Sequence, residues 1–257
     1  MKSLPLILLL GLLAACSAKN NPEPEPNLGF ENVVYNPVYT RIVTVSGSNV
    51  LVRGSFPCDA RGNFVYDSIL AYVMAKVPGI SFDQHSLIDV SVIDNQGDAA
   101  NLSNELFAYG LPDSVSMISW PPFTVGYKAS LLGTQVCGHP GHFLWWPFEG
   151  YNPDNMSWEQ KVGQFFTADG YNGQPGGYDF NGLTDRIDSL LTDETYPKII
   201  YYHCTFGKDR TGALTFAWLV KHGGFSKEAA KSKVDSVVVP NAHYSAMMED
   251  YWTWLHP

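Results

Sequence analysis

Short apolar runs along this chain alternate with segments whose apolar residues recur every three or four positions. Ile42-Val43-Thr44-Val45 and Val50-Leu51-Val52, within Arg41–Arg53, are β-type runs. Ser68–Lys76 is helical in character, with Ile69, Tyr72 and Val73 on one face. Leu87–Ile93 sets Ile88, Val90 and Val92 against Asp89 and Ser91, the period of two that marks a strand. Asn101–Tyr109 carries Leu102, Leu106 and Tyr109 at helical spacing. Ser114–Ser119 predicts a short strand ended by Trp120-Pro121-Pro122, and Phe143–Trp146 another. Trp158–Phe166 predicts a helix, Asp169–Gly182 a Gly-rich loop, and Leu183, Ile187, Leu190 and Leu191 an amphipathic helix. Ile199–Tyr202 is a strand and Ala213–Val220 a helix. Tyr244, Met247, Met248, Tyr251, Trp252 and Leu255 repeat with helical period to the end of the chain. Strands alternating with helices predict an α/β fold: a central, mostly parallel sheet flanked by helices. In such sheets ligands bind at the carboxyl ends of the strands.

The N-terminal pattern differs. Lys2 followed by the apolar run Leu4–Leu13 is too short to span a bilayer and reads as a signal segment, residues 1–16. Leu13-Ala14-Ala15-Cys16 resembles a bacterial lipobox, which implies lipidation of Cys16 and a membrane partner in the cell envelope; ordinary cleavage near Ala18 is the alternative. Ser17 resembles the outer-membrane sorting class. Residues 17–27 are a Pro/Glu-rich tether that cannot build a core. Residues 28–257 fit one domain by length. The net charge of −9 argues against a nucleic-acid partner. Cys58 and Cys137 are open to two readings, a disulfide or two buried thiols. No His/Cys cluster has metal spacing: the pairs His139/His142 and His243/His256 read as loop or surface residues, and no cofactor is expected.

The candidate chemistry lies between the Ile199–Tyr202 strand and the Ala213–Val220 helix, in His203-Cys204-Thr205-Phe206-Gly207-Lys208-Asp209-Arg210-Thr211-Gly212. A strand, tight loop and helix in this order curl backbone N–H groups around an anion at a helix N-terminus. Gly207 allows the sharp turn. The N–H groups and helix dipole favour a Cys204 thiolate, which can attack phosphorus. Arg210 supplies a planar fork for two phosphate oxygens. Thr205, Phe206, Gly207, Lys208 and Asp209 complete the phosphate cradle. Thr211 can stabilise the sulfur as leaving group, and His203 orients the loop from the strand side.

This segment resembles the phosphate-binding loop of the cysteine-dependent protein tyrosine and dual-specificity phosphatases. Its Gly-Lys-Asp-Arg-Thr form is similar to bacterial secreted tyrosine/lipid phosphatases. Leu51-Val52-Arg53-Gly54-Ser55-Phe56-Pro57 resembles the strand that opens the domain in several of those families. The resemblance implies a protein tyrosine phosphatase-like fold. It also implies hydrolysis of phosphomonoesters through a phospho-cysteine, on phosphotyrosine or mixed protein phosphates. A phosphoinositide or inositol phosphate is the alternative substrate, and a catalytically inactive phosphate-binding module the alternative function.

Such an enzyme needs a proton donor for the leaving oxygen. There is no Trp-Pro-Asp. Asp169 in the Gly-rich loop is ranked first, Asp209 second, and Glu149, in Trp146-Pro147-Phe148-Glu149, third; Asp179 can equally be a helix cap. Phe206, Tyr171, Tyr178, Trp145 and Trp146 are aromatic candidates to grip a substrate ring.

Overall fold

The computed structural model describes residues 33–81, 84–94, 98–109, 123–126, 142–148, 152–167 and 179–257. The signal segment 1–16, the tether, the expected strand Ser114–Ser119, Cys137, His139, Glu149, Asp169, Tyr171 and Tyr178 lie outside these residues.

Among the described residues six strands form one sheet: β1 (Arg41–Ser46), β2 (Asn49–Gly54), β3 (Ser86–Ser91), β4 (Phe123–Gly126), β5 (His142–Trp145) and β6 (Lys198–His203), in the order β1-β2-β6-β3-β5-β4. The central pairs β2–β6, β6–β3 and β3–β5 are parallel; the edge pairs β1–β2 and β4–β5 are antiparallel. The antiparallel β1–β2 edge has a local cause. Only Gly47 and Ser48 separate the two strands, enough for a hairpin but far short of a crossover.

β2, β3 and β6 are buried along their whole length, as expected when helices cover both faces of a parallel sheet. One face, with Leu51, Ile88, Val90, Ile200 and Tyr202, packs against α4 (Phe180–Thr192), α5 (Asp209–Lys221), α6 (Lys227–Asp235) and α7 (Ala242–Leu255). The other, with Val50, Val52, Leu87, Ile199 and Tyr201, packs against α1 (Tyr66–Met74) and α2 (Ala99–Ala108). Successive residues of β6 thus feed opposite cores, and each fully buried aliphatic side chain contributes ~1.5–3 kcal/mol.

The expected helix over Trp158–Phe166 is a short helix α3 (Trp158–Lys161), N-capped by Ser157 and Gln160 in a reciprocal pair, that widens into a π-turn over Val162–Phe166. Asp179 caps α4 by accepting from the Gly182 N–H, so Gly182 belongs to the helix and not to the Gly-rich loop. The polar segment Lys227–Asp235 carries no expected element yet is helical; it buries only Ala230 and Val234 and begins at the Ser226 cap. Cys58 is a buried free thiol.

Candidate active site

The parallel strands end together, and the turns that follow them build one site. β6 runs directly into the Cys204 loop, which ends at the first turn of α5. The loop rests on its neighbours: the Phe56 N–H donates to the Thr205 carbonyl (3.2 Å) and the Val92 N–H to the His203 carbonyl (3.0 Å). Gly207 has φ +70°, and a Cβ there would lie 2.6 Å from the Gly54 carbonyl oxygen. Only glycine satisfies both the left-handed backbone and this close approach. Arg53, at the end of β2, donates from Nη2 to the Gly207 carbonyl at 2.8 Å and fixes the loop from below.

Cys204 is 3 % exposed, so its sulfur lies at the floor of the loop. Burial alone would raise its pKa. The Arg210 charge, the Thr211 hydroxyl and the backbone N–H groups of Thr211 and Gly207 outweigh burial and bring it below the ordinary thiol value. The Thr211 Oγ1 also accepts the Cys204 backbone N–H at 2.8 Å, tying the helix start to the strand end.

Arg210 stands beside the sulfur. Its Nη1 reaches Asp94 Oδ2 at 2.9 Å and the carbonyls of Phe148 (3.3 Å) and Val92 (3.4 Å); its Nη2 pairs with Asp98. Burial opposes its charge, but the Cys204 thiolate, Tyr244 and Asp98 raise its pKa above the usual value. The turn after β3 (Val92, Asp94, Asp98) and the turn after β5 (Phe148) therefore aim one guanidinium at the loop.

Behind the loop, His203 is wholly buried. Its Nδ1 faces the Cys204 carbonyl at 3.3 Å. Its Nε2 pairs with Glu105 Oε1 at 2.6 Å and Asp89 Oδ1 at 3.2 Å. Burial would discharge the imidazole, but Glu105 and Asp89 outweigh burial and hold its pKa well above the ordinary value. Glu105 is itself pushed up to about 7, chiefly by burial, with His203 opposing. Ser91 donates to Glu105 at 2.7 Å, and the Tyr109 hydroxyl donates to Asp89. Asp89, Glu105 and His203 are also the trio whose ligand atoms lie within 4.8 Å of one another among the described residues. Ser91 and Tyr109 take one oxygen of each carboxylate, and the other two lie at ion-pair distance from His203 Nε2 without hydrogen-bond alignment, so we read the cluster as ionic rather than metal-binding.

Of the other expected residues, Thr205 is buried, Phe206 is 57 % exposed at the rim, and the Lys208 ammonium lies 5.3 Å from the Tyr39 ring. Asp209 turns away from the sulfur and accepts the Asn241 N–H at 2.7 Å, at the start of α7. Trp145 and Trp146 are core residues, and Trp145 Nε1 donates to the Ile93 carbonyl. Asp94, Asp98, Asp89 and Glu105 are absent from the expected residues. Asp89 carries the one signal: a carboxylate in the middle of an apolar strand needs a partner.

No family model matches the chain, and no curated protein matches it in sequence. Solved structures do match. A human tyrosine phosphatase-like serine/threonine/tyrosine-interacting protein is 13 % identical, with a TM-score of 0.41 over 80 % of this chain and 93 % of that one. Tk-PTP in its active form is 14 % identical, with 0.39 over 83 % and 95 %. The catalytic domain of the PP-IP phosphatase SIW14 from S. cerevisiae is 16 % identical, with 0.39 over 85 % and 88 %.

Proposed function

We propose that this protein hydrolyses phosphomonoesters through a phospho-cysteine on Cys204. The observation that carries the reading is a sulfur at the floor of the β6–α5 loop, with Gly207 and Thr211 N–H groups, the Thr211 hydroxyl and Arg210 all favouring its ionised form. The thiolate attacks phosphorus. An S–P bond forms as the ester P–O bond breaks, and the leaving oxygen takes a proton from the general acid. Water then attacks the same phosphorus, the S–P bond breaks, and Thr211 stabilises the departing sulfur. The acid, now a base, accepts the water proton, and inorganic phosphate leaves. Arg210 holds the phosphoryl oxygens throughout; Asp94 and Asp98 orient its fork.

The recessed sulfur favours a phosphate on a long stem, so phosphotyrosine is the preferred substrate over phosphoserine. Among the acid candidates, Asp169 stays first and Glu149 stays a candidate on the sequence pattern alone. Asp209 loses support because it is engaged at α7.

Turnover of p-nitrophenyl phosphate separates an enzyme from a phosphate-binding module. A panel of phosphopeptides against phosphoinositides then separates the two substrate classes. Cys204→Ser should abolish turnover and keep phosphate affinity; a variant retaining a large fraction of wild-type kcat would overturn the mechanism.

A further inference from the structure

On the far side of the Cys204 loop, between the β1–β2 edge and α5–α6, lies a cavity of about 130 Å³. Arg41, Arg53 and Lys233 line it, with the hydroxyl-bearing Thr215 and Ser236, and no carboxylate does. Arg41 and Arg53 face each other across the β1–β2 ladder, which puts both side chains on one face of the sheet. Lys233 and Ser236 are exposed and form the mouth; Thr215 and Arg53 are buried and form the floor.

Arg53 is the anomaly. It is 1 % exposed, and only Nη2 is used, on the Gly207 carbonyl. Its Nε and Nη1 have no hydrogen-bond partner among the described residues. Burial presses its pKa down, and the Arg41 charge adds to that. A guanidinium stays charged in proteins, and a buried unpaired charge costs several kcal/mol. Three cations around one cavity with no anion among its walls is an uncompensated arrangement that a bound anion would complete. The volume is about that of four waters at ~30 Å³ each, room for a single tetrahedral oxyanion but not for a nucleotide. Tyr202 and Cys204, on the loop side, favour the Arg53 charge, but neither lines the cavity. Arg41 Nη1 donates to the Thr40 carbonyl at 2.7 Å, and Lys233 Nζ lies 3.4 Å from the Val43 carbonyl and 4.9 Å from the Phe225 ring.

We propose that Arg41, Arg53 and Lys233 form a second oxyanion site, separate from Cys204, that binds inorganic phosphate or sulfate. It bears on the catalytic loop through one bond, Arg53 to the Gly207 carbonyl. An oxyanion beside Arg53 fixes the guanidinium whose Nη2 supports that loop.

The test counts sites on the full chain. Equilibrium dialysis with labelled inorganic phosphate should give two equivalents bound at saturation. Arg41→Gln/Lys233→Gln should give one, and so should Arg210→Ala, each losing a different site. A second readout is thermal unfolding of Arg210→Ala in sodium sulfate against sodium chloride of equal ionic strength. Tm should rise with sulfate by mass action. Ser236→Glu in that background, an exposed change that sets a carboxylate in the mouth, should remove the rise even if the double variant folds poorly. One equivalent in the wild type that Arg210→Ala removes, or a sulfate response unchanged by Ser236→Glu, would mean the cavity holds only water and would overturn the proposal.

Discussion

Burial by itself would raise the Cys204 pKa; Arg210, Thr211 and two backbone N–H groups bring it below the ordinary thiol value. Arg210→Lys should therefore be severely impaired. Lysine keeps a charge but loses the planar fork that Asp94, Asp98 and two carbonyls orient, and loss of such a group costs roughly 10²–10³ in kcat. Steady-state kinetics with near-normal kcat/KM would remove Arg210 from its role. The acid is decided by leaving groups. The true acid's isostere, among Glu149→Gln, Asp169→Asn and Asp209→Asn, should lose roughly 10²–10⁴-fold on phosphotyrosine and far less on p-nitrophenyl phosphate. It should also flatten the alkaline fall of kcat. Asp169 ranks first by its spacing to Cys204; equal losses on both substrates would deny it the role. The loop residues were legible because a Cys, a Gly and an Arg in fixed order between strand and helix is a local pattern. Asp94 and Asp98 were not, since they meet Arg210 across more than a hundred residues of chain and no local period reports such a contact.

Between β3, α2 and β6 the fold encloses Asp89, Glu105 and His203, and this cluster makes stability depend on pH. Glu105 has its folded pKa raised from 4.5 to about 7. The folded state then binds the proton more tightly than the unfolded one, so this group's contribution falls as pH rises between those values. His203 is raised too; its contribution is complete below about 6.5 and is lost as pH rises through its higher folded pKa. Relative to wild type, Glu105→Gln should gain stability as pH increases from about 4.5 to 7. Urea unfolding midpoints of both proteins across that window measure the difference; a constant or shrinking advantage would contradict the assignment. At this scale the apolar periods located most described elements to within a few residues. They located β3 but not what covers its polar face. Asp89 and Ser91 follow the period of a half-solvated strand, yet α2 covers that face and brings Glu105 and Tyr109 to them. α6 escaped because helices with two buried residues have almost no apolar stripe to read.

Across the whole molecule, four adjacent parallel strand ends converge on one loop, and every described residue of the candidate site falls between Arg53 and Tyr244. The α/β class followed from alternating strands and helices, whereas strand order and the antiparallel edges did not, because pairing partners leave no trace in a strand's own period. The short Gly47-Ser48 link was a readable exception. The proposed chemistry is thus separate from where the protein resides. Among the described residues no helix is long and apolar enough to cross a membrane. Envelope attachment is proposed, from the lipobox-like Leu13–Cys16, to depend on Cys16, followed by the tether Ser17–Asn27, whose Pro and Glu residues give it little apolar surface to hold a bilayer. A single lipid chain binds membranes weakly and more than one binds stably, so removing the acceptor thiol removes the whole attachment. Cys16→Ser should move the protein from the membrane to the soluble fraction while kcat/KM on p-nitrophenyl phosphate stays at the wild-type value. Fractionation and assay of the same preparation read both outcomes. Membrane attachment that survives the substitution would favour an uncleaved Leu4–Leu13 anchor, and a fall in activity would mean that the N-terminal segment reaches the site.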